Sequence, residues 1–171
     1  MKILIFQNWR HCLKVFVAGA VLSFSTINIS PDDVAQASSL NQKIAENLQT
    51  LQKSEERWIQ INLSTQRLIA WEGKKPVYAI IISSGKKSTP TRIGNFKIQS
   101  KHKSTRMRGR TYDVPNVPHT MFYQGNYAIH GAYWHQKFGT PVSHGCVNLA
   151  PNHAKWLFNW ASLGTPVVIH K

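Results

Sequence analysis

Of the two cysteines in the chain, Cys12 falls in a segment expected to be removed, whereas Cys146 sits among groups that could make a thiol reactive. It lies in the run Ser143-His144-Gly145-Cys146-Val147-Asn148, sixteen positions after the start of the pair His130-Gly131. The thiolate, not the thiol, is the nucleophile, so a catalytic cysteine needs an imidazole, a cationic setting or main-chain N–H groups that favour the anion. Each has a candidate here: His130 and His144 as imidazoles, a strongly basic chain, and the N–H groups of a helix expected to open at Pro151. Gly145, which has no Cβ, lets the main chain approach a bound carbonyl closely. His130 is the better base, because it ends the apolar strand Tyr127 to His130 where a rigid scaffold hands over to a loop. His144 stands two positions from Cys146, an arrangement that aligns side chains in a strand but not in a tight turn. Two plainer readings compete: an inert thiol beside structural histidines, and a zinc site drawing on His130, His135, His144 and Cys146. No Cys-x-x-Cys or His-Glu-x-x-His spacing supports the zinc site, and neither a metal nor an organic cofactor is expected.

The elements that must hold these groups are mostly strands. Trp58 to Leu63 alternates as a half-buried strand does; Arg67 to Glu72 and Val77 to Ser83 follow after short turns, and the three predict an antiparallel meander. Thr89 to Gly94 is rich in turn residues and precedes a strand from Asn95 to Ser100. Residues 101–118 combine bases, Gly109 and two prolines, predicting an exposed loop in which Arg106, Arg108 and Arg110 could cover the cleft. Strands resume at His119 to Gln124 and Tyr127 to His130. Pro151 opens a helix with Ala154, Leu157, Phe158 and Ala161 at helical spacing, ended by Gly164, and Thr165 to His170 reads as a closing strand. The fold class is therefore mainly β: a sandwich or barrel-like domain of mixed short strands, about residues 58–171, with one clear helix after Cys146.

Residues 1–37 have a different character. Lys2, Arg10 and Lys14 precede the uncharged run Val15 to Ile29, and Ala35-Gln36-Ala37 follows, the order of a secretory leader cut after Ala37 or, if retained, of an anchor. Export to the periplasm or cell wall is the expectation. Residues 38–57 place Leu40, Ile44, Leu48 and Leu51 at helical spacing and read as a tether or a short helix, with the tether favoured. Because Cys12 falls in the leader, the exported domain keeps one unpaired thiol in an oxidising compartment, which suits a reactive group. The chain has 21 Lys and Arg against 7 Asp and Glu, a net charge of +14, with nine bases and no acid from Lys86 to Arg110. Such a field attracts anionic envelope polymers or carboxylate-bearing substrates, and export argues against nucleic acid. A hydrophobic content of 42% excludes disorder of the whole chain.

Taken together, His130-Gly131-Ala132-Tyr133-Trp134 and Ser143-His144-Gly145-Cys146-Val147-Asn148-Leu149 closely resemble the signature of the L,D-transpeptidase catalytic domain, the YkuD-like domain. Ile59 to Leu68, Val77 to Gly85 and Thr89 to Phe96 resemble it too, so the likeness runs from about Trp58 to His170. The resemblance implies a Cys146 thioester with a peptidoglycan stem tetrapeptide, release of D-Ala, and transfer to an acceptor amine. His130 would move the protons, oriented by the Gly131 carbonyl, and N–H groups around Gly145 and Cys146 would hold the oxyanion. Ser143, His144 and Asn148 match the motif as loop-shaping or substrate-contacting residues. Carbapenem-type β-lactams are implied as acylating inhibitors. An acceptor of water or a protein amine, giving an L,D-carboxypeptidase or a protein-attachment enzyme, stays open. So does a non-catalytic, polyanion-binding wall module built on the basic run and Trp134, Trp156 and Trp160.

Overall fold

The computed structural model describes residues 30–171; the leader segment Val15 to Ile29 lies outside the described residues. The described residues open with helix α1 (Pro31–Lys53), where the sequence suggested the end of a leader and then a tether or short helix. Ser30 caps it, its hydroxyl accepting from the Asp33 N–H at 3.1 Å, and Pro31 occupies the first turn, where a missing N–H costs nothing. Local propensity alone would leave such a polar helix marginal, so packing decides the matter. Ile44, Leu48 and Leu51 pack against Trp58, Trp71, Ile93 and Val168, and the Asn47 amide donates to Asn95 at 3.0 Å. Leu40, read as part of that stripe, lies outside it and is exposed.

Two sheets follow. The first joins β1 (Arg57–Asn62), β2 (Arg67–Glu72), β3 (Lys75–Ile81), β4 (Gly94–Lys97) and β9 (Pro166–His170) in the order β3-β2-β1-β9-β4. The expected meander is its β1-β2-β3 half, and β9 completes it by pairing parallel to β1 and antiparallel to β4. The second sheet, β5-β6-β7-β8, consists of β5 (Ser100–Gly109), β6 (Tyr112–Gln124), β7 (Tyr127–Gly131) and β8 (Val147–Leu149). Its long β5–β6 ribbon replaces the loop expected over residues 101–118. Pro115 and Pro118 are tolerated because β7 pairs only with Met121 to Gln124 of β6, so the prolines lie beyond the reach of a second ladder.

Between the sheets, Ile59, Ile61, Leu68, Ile82, Met121, Ile129, Val147 and Leu149 form one buried core with Leu157. Helix α2 (Pro151–Trp160) caps it, burying Ala154 and Leu157. Trp156 and Trp160 stack with ring centroids 5.8 Å apart and pack against the core, as their spacing suggested. The helix stops at Trp160, and Gly164 does not end it: with φ +83° it sits in the turn beyond, where its N–H reaches the Ile98 carbonyl.

Candidate active site

β7 and β8 run parallel, pairing Ile129 with Val147 and His130 with Asn148. Paired residues in such a register share a face, so Ile129 and Val147 enter the core while His130 and Asn148 turn the other way, and Cys146 lies two positions before Asn148. His130, Cys146 and Asn148 all line a cleft of about 270 Å³, with Ser143, His144 and His135 around them. Met107, Tyr112 and Val114 from the β5–β6 ribbon form the facing wall. Arg106 and Arg108 point away from it and pair with Asp113 on the exposed side, Arg106 Nη2 at 2.6 Å. Those two arginines therefore do not cover the cleft; Met107 between them, with Tyr112 and Val114 on the neighbouring strand, does.

The His130 ring is 2% exposed, and its Nδ1 lies 3.0 Å from the Gly131 carbonyl. A carbonyl only accepts, so the proton sits on Nδ1 and Nε2 is left with a lone pair. Burial holds the His130 pKa down to about 4, only partly opposed by the Gly131 bond, and the His135 ring adds to the lowering. The imidazole is thus neutral at neutral pH. Burial also pushes the Cys146 thiol up, with the Ala128 main chain opposing it, and the thiol hydrogen-bonds the Asn126 carbonyl at 3.6 Å.

The turn carrying Cys146 is fixed from several sides. Ser143 Oγ accepts from the Gly145 N–H at 3.0 Å and donates to the Cys146 carbonyl at 2.5 Å. Thr91 Oγ1 accepts from the Gly85 N–H at 2.8 Å and donates to the Gly145 carbonyl at 2.9 Å. Gly145 itself has φ +118°, and a Cβ there would sit 2.7 Å from the Tyr127 ring. The main chains of Ser83 and Asn148 exchange two hydrogen bonds of 2.9 Å, tying the first sheet to the second beside the cleft.

The candidates therefore divide. Cys146, His130, Gly131, Ser143 and Asn148 come together as the motif suggested. The Gly145 N–H, expected to face an oxyanion, is committed to Ser143, so Gly145 serves the turn instead. His144 is exposed at the rim, its ring 4.7 Å from Tyr112 and its Nε2 3.3 Å from Thr111, tying the Cys146 loop to the ribbon. Sequence reasoning passed over Thr91 and over Gln66, a buried residue at φ +51° whose amide brackets Ser84. It also left out His135, apart from the zinc reading. Among the described residues no three His, Cys, Asp or Glu side chains converge as a metal-binding group.

The family model of the YkuD L,D-transpeptidase catalytic domain matches residues 56–169. The chain belongs to this family. L,D-transpeptidase 1 of Mycobacterium tuberculosis is 34% identical over 99 residues, a match covering 51% of this chain and 39% of that protein. YciB of Bacillus subtilis is 23% identical, with 92% of this chain and 98% of YciB covered. Among solved structures, the NMR structure of the catalytic domain of the Enterococcus faecium L,D-transpeptidase superposes with a TM-score of 0.62 at 29% identity, covering 68% of this chain and 98% of that one. The L,D-transpeptidase LdtMt1 in complex with imipenem gives a TM-score of 0.64 at 26% identity, covering 67% and 58%. Against the mycobacterial relative, this L,D-transpeptidase domain spans about two fifths of the partner's length.

Proposed function

We propose that the protein is an exported peptidoglycan L,D-transpeptidase that works through a Cys146 thioester. The observation that carries this reading is the placement of Cys146 in one cleft with His130, whose Nδ1–H is held by the Gly131 carbonyl, leaving Nε2 to accept a proton. The acyl donor is a stem tetrapeptide whose diaminopimelate-type residue presents the carbonyl of its L-centre. Cys146 Sγ forms a bond to that carbon as its proton passes to His130 Nε2, and the resulting imidazolium protonates the leaving amine as the C–N bond breaks, releasing D-Ala. An acceptor amine then loses a proton to His130 and takes the acyl group, restoring the thiol. With the Gly145 N–H engaged by Ser143, the Cys146 N–H is the main-chain donor on the turn for the tetrahedral oxyanion.

Low-dielectric surroundings disfavour a resting thiolate–imidazolium pair, so the proton transfers only as the carbonyl is attacked. Export agrees with the basic balance of the chain and with a lone thiol. A cut after Ala37 would fall within α1 but before Ile44, its first buried residue, so no core contact would be lost. Inhibition by carbapenem-type β-lactams is part of the proposal, and the imipenem complex of LdtMt1 supports it. Incubating the protein with a disaccharide tetrapeptide, with and without an acceptor stem, and following products by mass spectrometry tests the reading. A cross-linked dimer with loss of D-Ala is expected; D-Ala release without dimer would assign water as the acceptor, and no release would refute acyl transfer.

A further inference from the structure

A second hollow, a groove of about 620 Å³, runs between helix α1, strand β4 and the end of strand β6, and it shares no lining residue with the Cys146 cleft. α1 supplies Asn47, Thr50 and Leu51; it lies before the matched residues 56–169, so this wall is an addition to the family domain. In a chain of net charge +14 the groove holds one base, Lys97, and one acid, Glu56, so a polyanion finds no excess of bases there. What the groove offers instead is a set of amides and a hydroxyl: Thr50, Asn95 and Gln99 are exposed and Asn47 is half-buried. Asn47 Nδ2 donates to Asn95 Oδ1 at 3.0 Å and Asn95 Nδ2 to the Lys43 carbonyl at 3.3 Å, so each NH2 group keeps a second N–H and the Asn47 carbonyl keeps its lone pairs. Such side chains both donate and accept, as sugar hydroxyl and acetamido groups do, whereas ammonium groups only donate and carboxylates only accept. Phe96, half-buried and tilted against Tyr123 with ring centroids 5.2 Å apart, and Pro166 supply the apolar surface that the C–H face of a sugar ring needs. The groove is also close to the nucleophile along the chain. Gln124 lines it, and two positions on, at most ~7 Å of chain, the Asn126 carbonyl accepts from Cys146 Sγ at 3.6 Å. The three stem residues up to the reacting carbonyl span as much as roughly 11 Å, longer than that step.

We propose that this groove is a glycan subsite: it holds the uncharged N-acetylated disaccharide that carries the acyl donor, while the stem peptide passes to Cys146. The identity of the sugar rests on the acyl-transfer reading above, but its binding is tested without catalysis. Titrating the whole protein with a tetramer of N-acetylglucosamine should shift the side-chain amide signals of Asn47, Asn95 and Gln99 in proton–nitrogen NMR spectra. No shift, or shifts confined to residues of the Cys146 cleft, would overturn the proposal. Shifts at these amides with poly-glutamate and none with the sugar would also overturn it, in favour of an acidic polymer. Steady-state kinetics supply the second test, because holding a remote part of a substrate equally in ground and transition states lowers KM and leaves kcat alone. The disaccharide tetrapeptide should have a KM about tenfold below that of the bare tetrapeptide, with kcat values within threefold. Thr50→Trp, which fills the groove from an exposed helix position, and Gln99→Ala should each bring the two KM values to within threefold. Equal KM values in the unaltered protein, or a tenfold gap that survives in both variants, would overturn the proposal. Failure of the unaltered protein to turn over either substrate would count against the acyl-transfer reading and leave the sugar titration standing.

Discussion

Cys146 and His130 meet the same low-dielectric surroundings in the same way, by staying uncharged. Burial raises the thiol pKa and lowers the imidazole pKa to about 4, so the two titrate far apart with the thiol last. The rate of Cys146 alkylation by iodoacetamide should therefore climb continuously with pH through 9. A plateau beginning near pH 6 would reveal a resting ion pair and contradict the assignment. Gly145 offers a second residue-scale test. An alanine there must hold φ near +118° and meet the Tyr127 ring, a strain of ~1–3 kcal/mol. A displaced nucleophile costs on the order of 100-fold in rate. Gly145→Ala is thus expected to fold, with kcat/KM for the donor reduced by about that factor. Cys146 and His130 stand out in the sequence as candidates because residue type and the paired His-Gly steps already suggest a chemistry, and the fold places both in one cleft. The commitment of the Gly145 N–H does not, since it depends on where the Ser143 hydroxyl points once the turn has closed.

The elements carry the precision of the site, and they divide into those that alternation announces and those that context decides. The β1-β2-β3 meander, β7, β9 and α2 follow from period and punctuation in Trp58 to Ile81, Tyr127 to His130 and Pro151 to His170. The β5–β6 ribbon does alternate, with Thr105, Met107, Gly109, Tyr112 and Val114 less exposed than Arg106, Arg108, Arg110 and Asp113. Its inner face is too sparsely apolar, and its prolines too prominent, for that pattern to outweigh a loop. Because Arg106 and Arg108 are exposed, replacing either by alanine should leave the melting temperature essentially unchanged. Thr91 is the contrasting case, buried and bridging two loops through Gly85 and Gly145. Thr91→Val leaves both main-chain groups without partners and should cost ~1–3 kcal/mol in chemical denaturation, whereas Thr91→Ser should keep most of the stability.

At the scale of the whole molecule, α1 belongs to the domain although its polar composition suggested a tether. Its short apolar stripe is worth burying because of partners spread from Trp58 through Trp71 and Ile93 to Val168, and sequence spacing cannot show that. Deleting residues through Ala37 should leave stability nearly unchanged. Deleting through Leu51 removes Ile44, Leu48 and Leu51, each worth ~1.5–3 kcal/mol when fully buried, and should lower unfolding free energy by several kcal/mol. The domain should also be acid-sensitive in two stages. Between pH 6.5 and about 4 the unfolded chain protonates His130 and the native state does not, so stability falls as pH drops through that window. Below it, Asp113, held to about 2 first by Arg106, begins to lose its pairing, a smaller effect at an exposed site. Thermal denaturation across pH 3 to 7 checks both stages, and His130→Gln should flatten the upper one.

Activation of the Cys146 thiol by His130 is tested by the intact mass of the protein after exposure to imipenem. Attack on the β-lactam carbonyl opens the ring, the sulfur–carbon bond replaces the carbon–nitrogen bond, and the ring nitrogen takes the thiol proton, so the adduct adds the whole mass of the inhibitor. One adduct is expected on the native protein, none on Cys146→Ala, and formation slowed ~100-fold or more in His130→Ala. No adduct on a folded protein with a free thiol, or an adduct that persists in Cys146→Ala, would contradict it.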